Sequence, residues 1–171
     1  MTVSPLETLT DPLLAAVLTL VQTGVNYELD SLLTPEMAIK TVSPYPVDIG
    51  ILSDLQLPHL SVYRDIEKHS KRTITHTEST VTLKFHYISP MTAREQLDER
   101  WPLLERVWRE TVAIMQRGRH AQVQSDGDIL EDAGVVSVNI GTAKKVEQFS
   151  PQGAYAFPEF VATLDVRWKP V

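Results

Sequence analysis

The 171-residue chain contains no cysteine. That removes thiol nucleophiles, disulfide frameworks and cysteine-ligated zinc together, and it fits a reducing compartment. Glycine is scarce too, with seven residues, and none builds a P-loop, a dinucleotide fingerprint or a G-x-S-x-G nucleophile elbow. Positive charge is in deficit: 16 Lys and Arg against 22 Asp and Glu give a formal charge of −6. An acidic total argues against broad, sequence-independent nucleic-acid binding, though it leaves room for a local basic strip. The apolar run "LLAAVLTLV" at 13–21 falls short of the about 20 residues a membrane span requires. Glu7 and Asp11 precede it where an export signal would carry basic residues, so the chain reads as soluble, with no signal peptide of its own.

What is present fits a single α+β domain over residues 1–171. A chain of this size buries roughly two-thirds of its unfolded surface, enough for a core without metal or disulfide staples. The apolar spacing predicts a helix over 5–24. Pro12 either kinks it or marks its true start, with Thr10 or Asp11 capping, and Gly24 is placed to end it. The proline-rich stretch 25–56 is expected to be a long irregular loop with a short helix from Pro35 to Lys40, and a loop of that length points to a functional or interface role.

Two strands follow, at about 57–69 and 76–89. The first places Leu60, Val62 and Ile66 on one face, interrupted by Arg64; the second alternates Val81, Leu83, Phe85 and Tyr87 with polar residues. "KHSKRT" between them is expected at the hairpin tip. Thr92 and Glu95 form a capping box for a second helix, whose stripe includes Leu97, Trp101, Leu104, Trp108, Thr111 and Met115, with Pro102 inside it and Gly118 as its stop. Beyond a turn-rich connection lies a strand with Val136, Val138 and Ile140 alternating. The chain then closes on "PEFVATLDVRWKPV". There Phe160, Ala162, Leu164, Val166 and Trp168 share one face, and Thr163, Asp165, Arg167 and Lys169 the other. The expected architecture is a mostly antiparallel four-stranded sheet with two helices on one face.

Reactive chemistry finds little footing. The five histidines, at 59, 69, 76, 86 and 120, show no H-x-x-x-H spacing. The acids Asp126, Asp128, Glu131 and Asp132 miss the frame of a calcium loop and read as a solvated turn. Lys68, Lys71 and Arg72 form a basic cluster that is either a solvated turn or a contact for an acidic partner surface. No catalytic, cofactor-binding or metal-binding residue is assigned. The candidate interface is Lys68, Lys71, Arg72, Asp165, Arg167 and Lys169.

The order of elements carries more than any motif. A helix at "LETLTDPLLAAVLTLV", a long loop, the hairpin "LSVYRDIEKH" and "STVTLKFHYI", the helix "REQLDERWPLLERVWRETVAIMQ" and the pair "AGVVSVNIGTAKKV" and "FVATLDVRW" together resemble the tail terminator and tail-completion proteins of tailed bacteriophages. The resemblance implies a structural virion protein without an active site or cofactor. It implies a ring, typically a hexamer, that caps the head-proximal end of the tail tube, stops its polymerisation and joins the tail to the head connector. Partners would be copies of itself, the tail tube protein, the connector or stopper protein and, through the 25–56 segment, a sheath or neighbouring subunit. DNA would pass through the lumen without specific binding, and no membrane is involved. The readings left beside it are another neck or tail adaptor, a monomeric binding module, and a small metal-dependent enzyme using His and Asp side chains.

Overall fold

The structure is a computed structural model, and it describes residues 11–31, 35–47, 52, 56–72, 77–91, 97–117, 130, 134–150 and 153–168. Its elements are helix α1 (Pro12–Ser31), a 3₁₀ turn (Pro35–Met37), strands β1 (Thr41–Ser43), β2 (His59–Arg72) and β3 (Thr77–Met91), helix α2 (Leu97–Arg117), and strands β4 (Val135–Ser150) and β5 (Gly153–Trp168).

α1 begins where proline and a capping acid coincide. Pro12 takes the first helical position, where its missing N–H costs nothing, and Asp11 Oδ1 accepts from the N–H groups of Leu13 and Leu14 at 3.0 and 3.4 Å. The capping reading of Asp11 therefore holds; the expected first turns at 5–10 lie outside the described residues. The helix does not stop at Gly24. Leu13, Val17, Leu20, Val21, Val25 and Leu29 form one fully buried stripe. A mid-helix glycine costs about 1 kcal/mol relative to alanine, whereas each buried aliphatic contributes roughly 1.5–3 kcal/mol. Burial of Val25 and Leu29 thus carries the helix past Gly24.

The sheet order is β1-β2-β3-β5-β4. The four long strands are antiparallel neighbours, as expected, while β1 runs parallel to β2 through Thr41↔His59, Val42↔Leu60 and Ser43↔Ser61. The sheet is therefore mixed and has a fifth strand, drawn from the segment expected to be irregular. Asn26 explains how: its side-chain amide donates to Ile39 O at 3.0 Å and accepts from Ile39 N–H at 2.6 Å. Gln22 donates to the same carbonyl at 3.2 Å. Two side chains of α1 thus satisfy the backbone of residue 39, and the chain enters the sheet two residues later.

Both helices cover one face. Val81, Leu83, Phe85 and Tyr87 of β3 join α1, Leu104, Val107, Ile114 and Met115 of α2, and Leu60 and Val62 of β2 in one core. Thr111 enters this interior by donating its hydroxyl to Val107 O at 2.8 Å. Phe160, Ala162 and Leu164 pair in register with Phe85, Leu83 and Val81, so the backbone places the closing strand's apolar set in line with the core rows of β3.

Two β-bulges alter the expected alternation. A register shift between Arg64 and Ile66 gives Arg64 the level of Leu83 and Ile66 that of Thr82. Ile66 therefore does not join Leu60 and Val62: it is 50% exposed. A second shift between Val135 and Ser137 buries Val135 and leaves Val136 62% exposed, so Val135 replaces Val136 beside Val138 and Ile140. The basic cluster also moves. Lys68, Lys71 and Arg72 belong to the β2 ladder rather than to a hairpin tip. The second helix's capping box and stop, at 92–96 and 118, lie outside the described residues.

Candidate functional site: the second face of the sheet and its edges

Among the described residues, the cover on the face of the sheet away from the helices lies at one end. There His59, Ser61 and Ile88 lie under the segment that follows β1, and Leu52, Leu57 and Ile88 make a small second core with Val47 packed on it. The polar side of this cover is a hydroxyl–imidazole chain. Thr41 Oγ1 lies 2.6 Å from His59 Nδ1 and donates to Gln56 O at 2.7 Å. Ser43 Oγ lies 2.9 Å from His59 Nε2, and Ser61 Oγ donates to Tyr45 O.

Ser43 Oγ also lies 3.0 Å from Tyr45 O, so its one proton goes either to that carbonyl or to His59 Nε2, and the neutral ring fixes which. Neutral His59 donates from Nδ1 to Thr41, Thr41 donates onward to Gln56 O, and Ser43 donates to Nε2 while Ser61 supplies Tyr45 O. Burial lowers the His59 pKa below its ordinary value, which favours that neutral form. His59 is therefore a structural staple that ties Thr41 and Ser43 of β1 to β2.

Farther along the same face, the described side chains of β3 are half-buried. Glu78, Thr80, Thr82, Lys84 and His86 alternate with the core residues of β3 and are all partly exposed. Lys84 Nζ reaches Asp65 at 3.8 Å, and His86 meets Tyr63 edge-on with centroids 5.5 Å apart. Pairing across the strands brings charged positions into rows. Lys71 stands opposite Glu78, which stands opposite Arg167; Lys68 stands opposite Thr80, which stands opposite Asp165. Arg72 is level with Thr77 and Trp168. Five of the six candidate interface residues thus converge on one end of the sheet at adjoining register positions, although about ninety residues of sequence separate the two groups. Lys169 lies outside the described residues. The rows mix both signs of charge.

Sequence reasoning missed two features. Ile66 and Val136, both exposed from bulges, stand on β2 and β4 toward opposite sides of the sheet; the only signals were the Arg64 interruption and the Val135–Val136 doublet. It also missed the tie between α1 and β2: Arg64 donates from Nη2 to Asp11 Oδ1 at 3.0 Å and from Nε to Asp11 Oδ2, and reaches Glu67 at 2.8 Å. Arg64 interrupts the apolar alternation because it holds the start of α1.

Among the described residues, no group of three His, Asp or Glu side chains is placed to hold a metal ion. Among them, too, no helix is long and apolar enough to cross a membrane. The acidic turn at 126–132, apart from Leu130, and His76 and His120 lie outside the described residues.

No protein family profile matches the chain, and no curated protein matches it. Among solved structures it is similar to a chain of the "Virion of native gene transfer agent (GTA) particle". That match has a TM-score of 0.39 and 14% identity, covering 85% of this chain and 93% of that one.

Proposed function

We propose that this protein is a structural subunit of a tailed-phage-like virion, a tail terminator that closes into a ring on the head-proximal end of the tail tube. The observation that carries the reading is the sheet's second face: half-exposed along β3 from Glu78 to His86, with charged positions of both signs in register across β2, β3 and β5, and flanked by β2 and β4, which expose Ile66 and Val136. Such a surface offers unlike patches at its two ends, which is what a head-to-tail ring requires of its subunit. In this reading the protein acts through contacts with its partners. Its partners in this reading are its own copies, as a hexamer, then the tube protein, the head–tail connector and, through the 25–56 segment, a sheath or neighbouring subunit. DNA passes the lumen without specific contacts. The likeness to the gene transfer agent chain is in keeping with this reading but is too slight to carry it.

Sedimentation velocity of the purified protein, with negative-stain imaging of the same sample, tests the self-assembly. Rings of one size are expected; a monomer at every concentration, unchanged by adding tail tubes, refutes it. Antibody-gold labelling of particles from producing cells tests the position. Label at the head–tail junction is expected, and label elsewhere assigns another virion part.

A further inference from the structure

We propose that copies of this chain join edge to edge, the outer edge of β4 on one copy adding to the part of β2 that β1 leaves uncovered on the next. The inference rests on the self-assembling reading above and names the surfaces it would use.

Three observations converge. First, β1 pairs only with residues 59–61 of β2, which runs on to Arg72, and β4 is the last strand of the sheet order. Among the described residues, no other strand lies beside either edge. A long strand edge is a template for another chain unless a protein blunts it. Second, the directions match. Four antiparallel long strands make β2 and β4 run in opposite senses, so a neighbour related by rotation about an axis along the strands brings its β4 antiparallel to β2. The alternation then continues across the boundary.

Third, although both edges are bulged and the β2 edge carries Asp65, Glu67 and Lys68 around it, each exposes one β-branched apolar side chain, Ile66 at 50% and Val136 at 62%. They sit near the same level of the sheet. Ile66 is in line with Thr82, Thr163 and Asn139, while Val136 adjoins Ser137, which is in line with Asp165, Thr80 and Lys68. The stagger that accompanies strand tilt when a sheet curves toward closure accommodates the remaining offset. The two patches are unlike, and the contact is therefore heterologous.

The absence of native cysteine makes the test clean. Within one copy, β2 and β4 are three strand spacings apart, roughly 14 Å, while a disulfide needs Cα atoms within about 7 Å. Ile66→Cys and Val136→Cys in the same chain therefore link only between copies. Under mild oxidation, with a short bis-maleimide in parallel to tolerate a slipped register, the double variant should give a ladder of covalent oligomers ending at one closed species. Each single variant should remain at monomer mass. Dimers from either single variant would mean two-fold pairing of like edges and overturn the proposal. So would the absence of a ladder when the double variant still sediments as rings and has native circular dichroism, and that result would leave the ring reading standing. Wild-type protein that never self-associates would overturn both.

Discussion

Asp11 performs two tasks that a pair of substitutions can separate. Its Oδ1 caps α1 through Leu13 and Leu14 at 3.0 and 3.4 Å, and both carboxylate oxygens receive Arg64. Asp11→Ala removes both interactions. Loss of an N-cap costs about 1 kcal/mol. The ion pair is partly wet, with side chains 23% and 24% exposed, so it adds at most about 1 kcal/mol. Arg64 moreover keeps Glu67 at 2.8 Å. The total of about 1–2 kcal/mol should lower the thermal midpoint by roughly 2–8 °C for a domain of this size. Asp11→Asn retains a capping oxygen and loses the charge, so it should cost no more than about 1 kcal/mol. Urea titration followed by circular dichroism reads both values, and repeating it in 1 M salt should shrink only the ionic part. If Asn proved as damaging as Ala at high salt, capping would not be what Asp11 contributes. If Ala were neutral, the account of how α1 starts would be wrong.

Other perturbations follow from the same contacts. Phe85→Ala, at the centre of the helix-covered face with no exposure, should cost about 3–5 kcal/mol by denaturant titration; a cost under 1 kcal/mol would mean that the core lies elsewhere. Ser89 is fully buried and its Oγ has no partner among the described residues, so Ser89→Ala should be neutral or slightly stabilising, and clear destabilisation would reveal a missed hydrogen bond. His59 has its pKa lowered by burial, so the unfolded chain binds the proton more readily. Its contribution should be complete above the ordinary histidine value and decline as pH falls through the folded one. The wild-type protein should lose more stability over that window than His59→Gln, and equal losses would refute the assignment. Ile66→Lys should block self-association while leaving the thermal midpoint nearly unchanged, because the side chain is half exposed. A lowered midpoint with intact assembly would place Ile66 in the core instead.

The strands and helices were legible because their periods are long and regular. The β3 alternation from Val81 to Tyr87 and the stripe of α2 needed no knowledge of their partners. The bulges were not legible. A bulge depends on the hydrogen-bond register with the neighbouring strand, and one inserted residue turned Ile66 and Val136 outward against a pattern that placed them inside. β1 escaped notice for a similar reason: three residues carry no measurable period, and what places them is the Asn26 amide, thirteen positions away from Ile39. The candidate site was legible as charge but not as geometry. The basic cluster near 70 and the alternating charges near 165 were visible separately, and only the pairings of β3 put them at the same end of the sheet.

The central claim is that the chain works by meeting its own copies through unlike surfaces. Native mass spectrometry of the assembled protein tests it most directly. One closed stoichiometry is predicted, six copies, with no even-numbered ladder built on dimers. A population of two-fold dimers, or subunits that remain single both alone and on purified tail tubes, would contradict it.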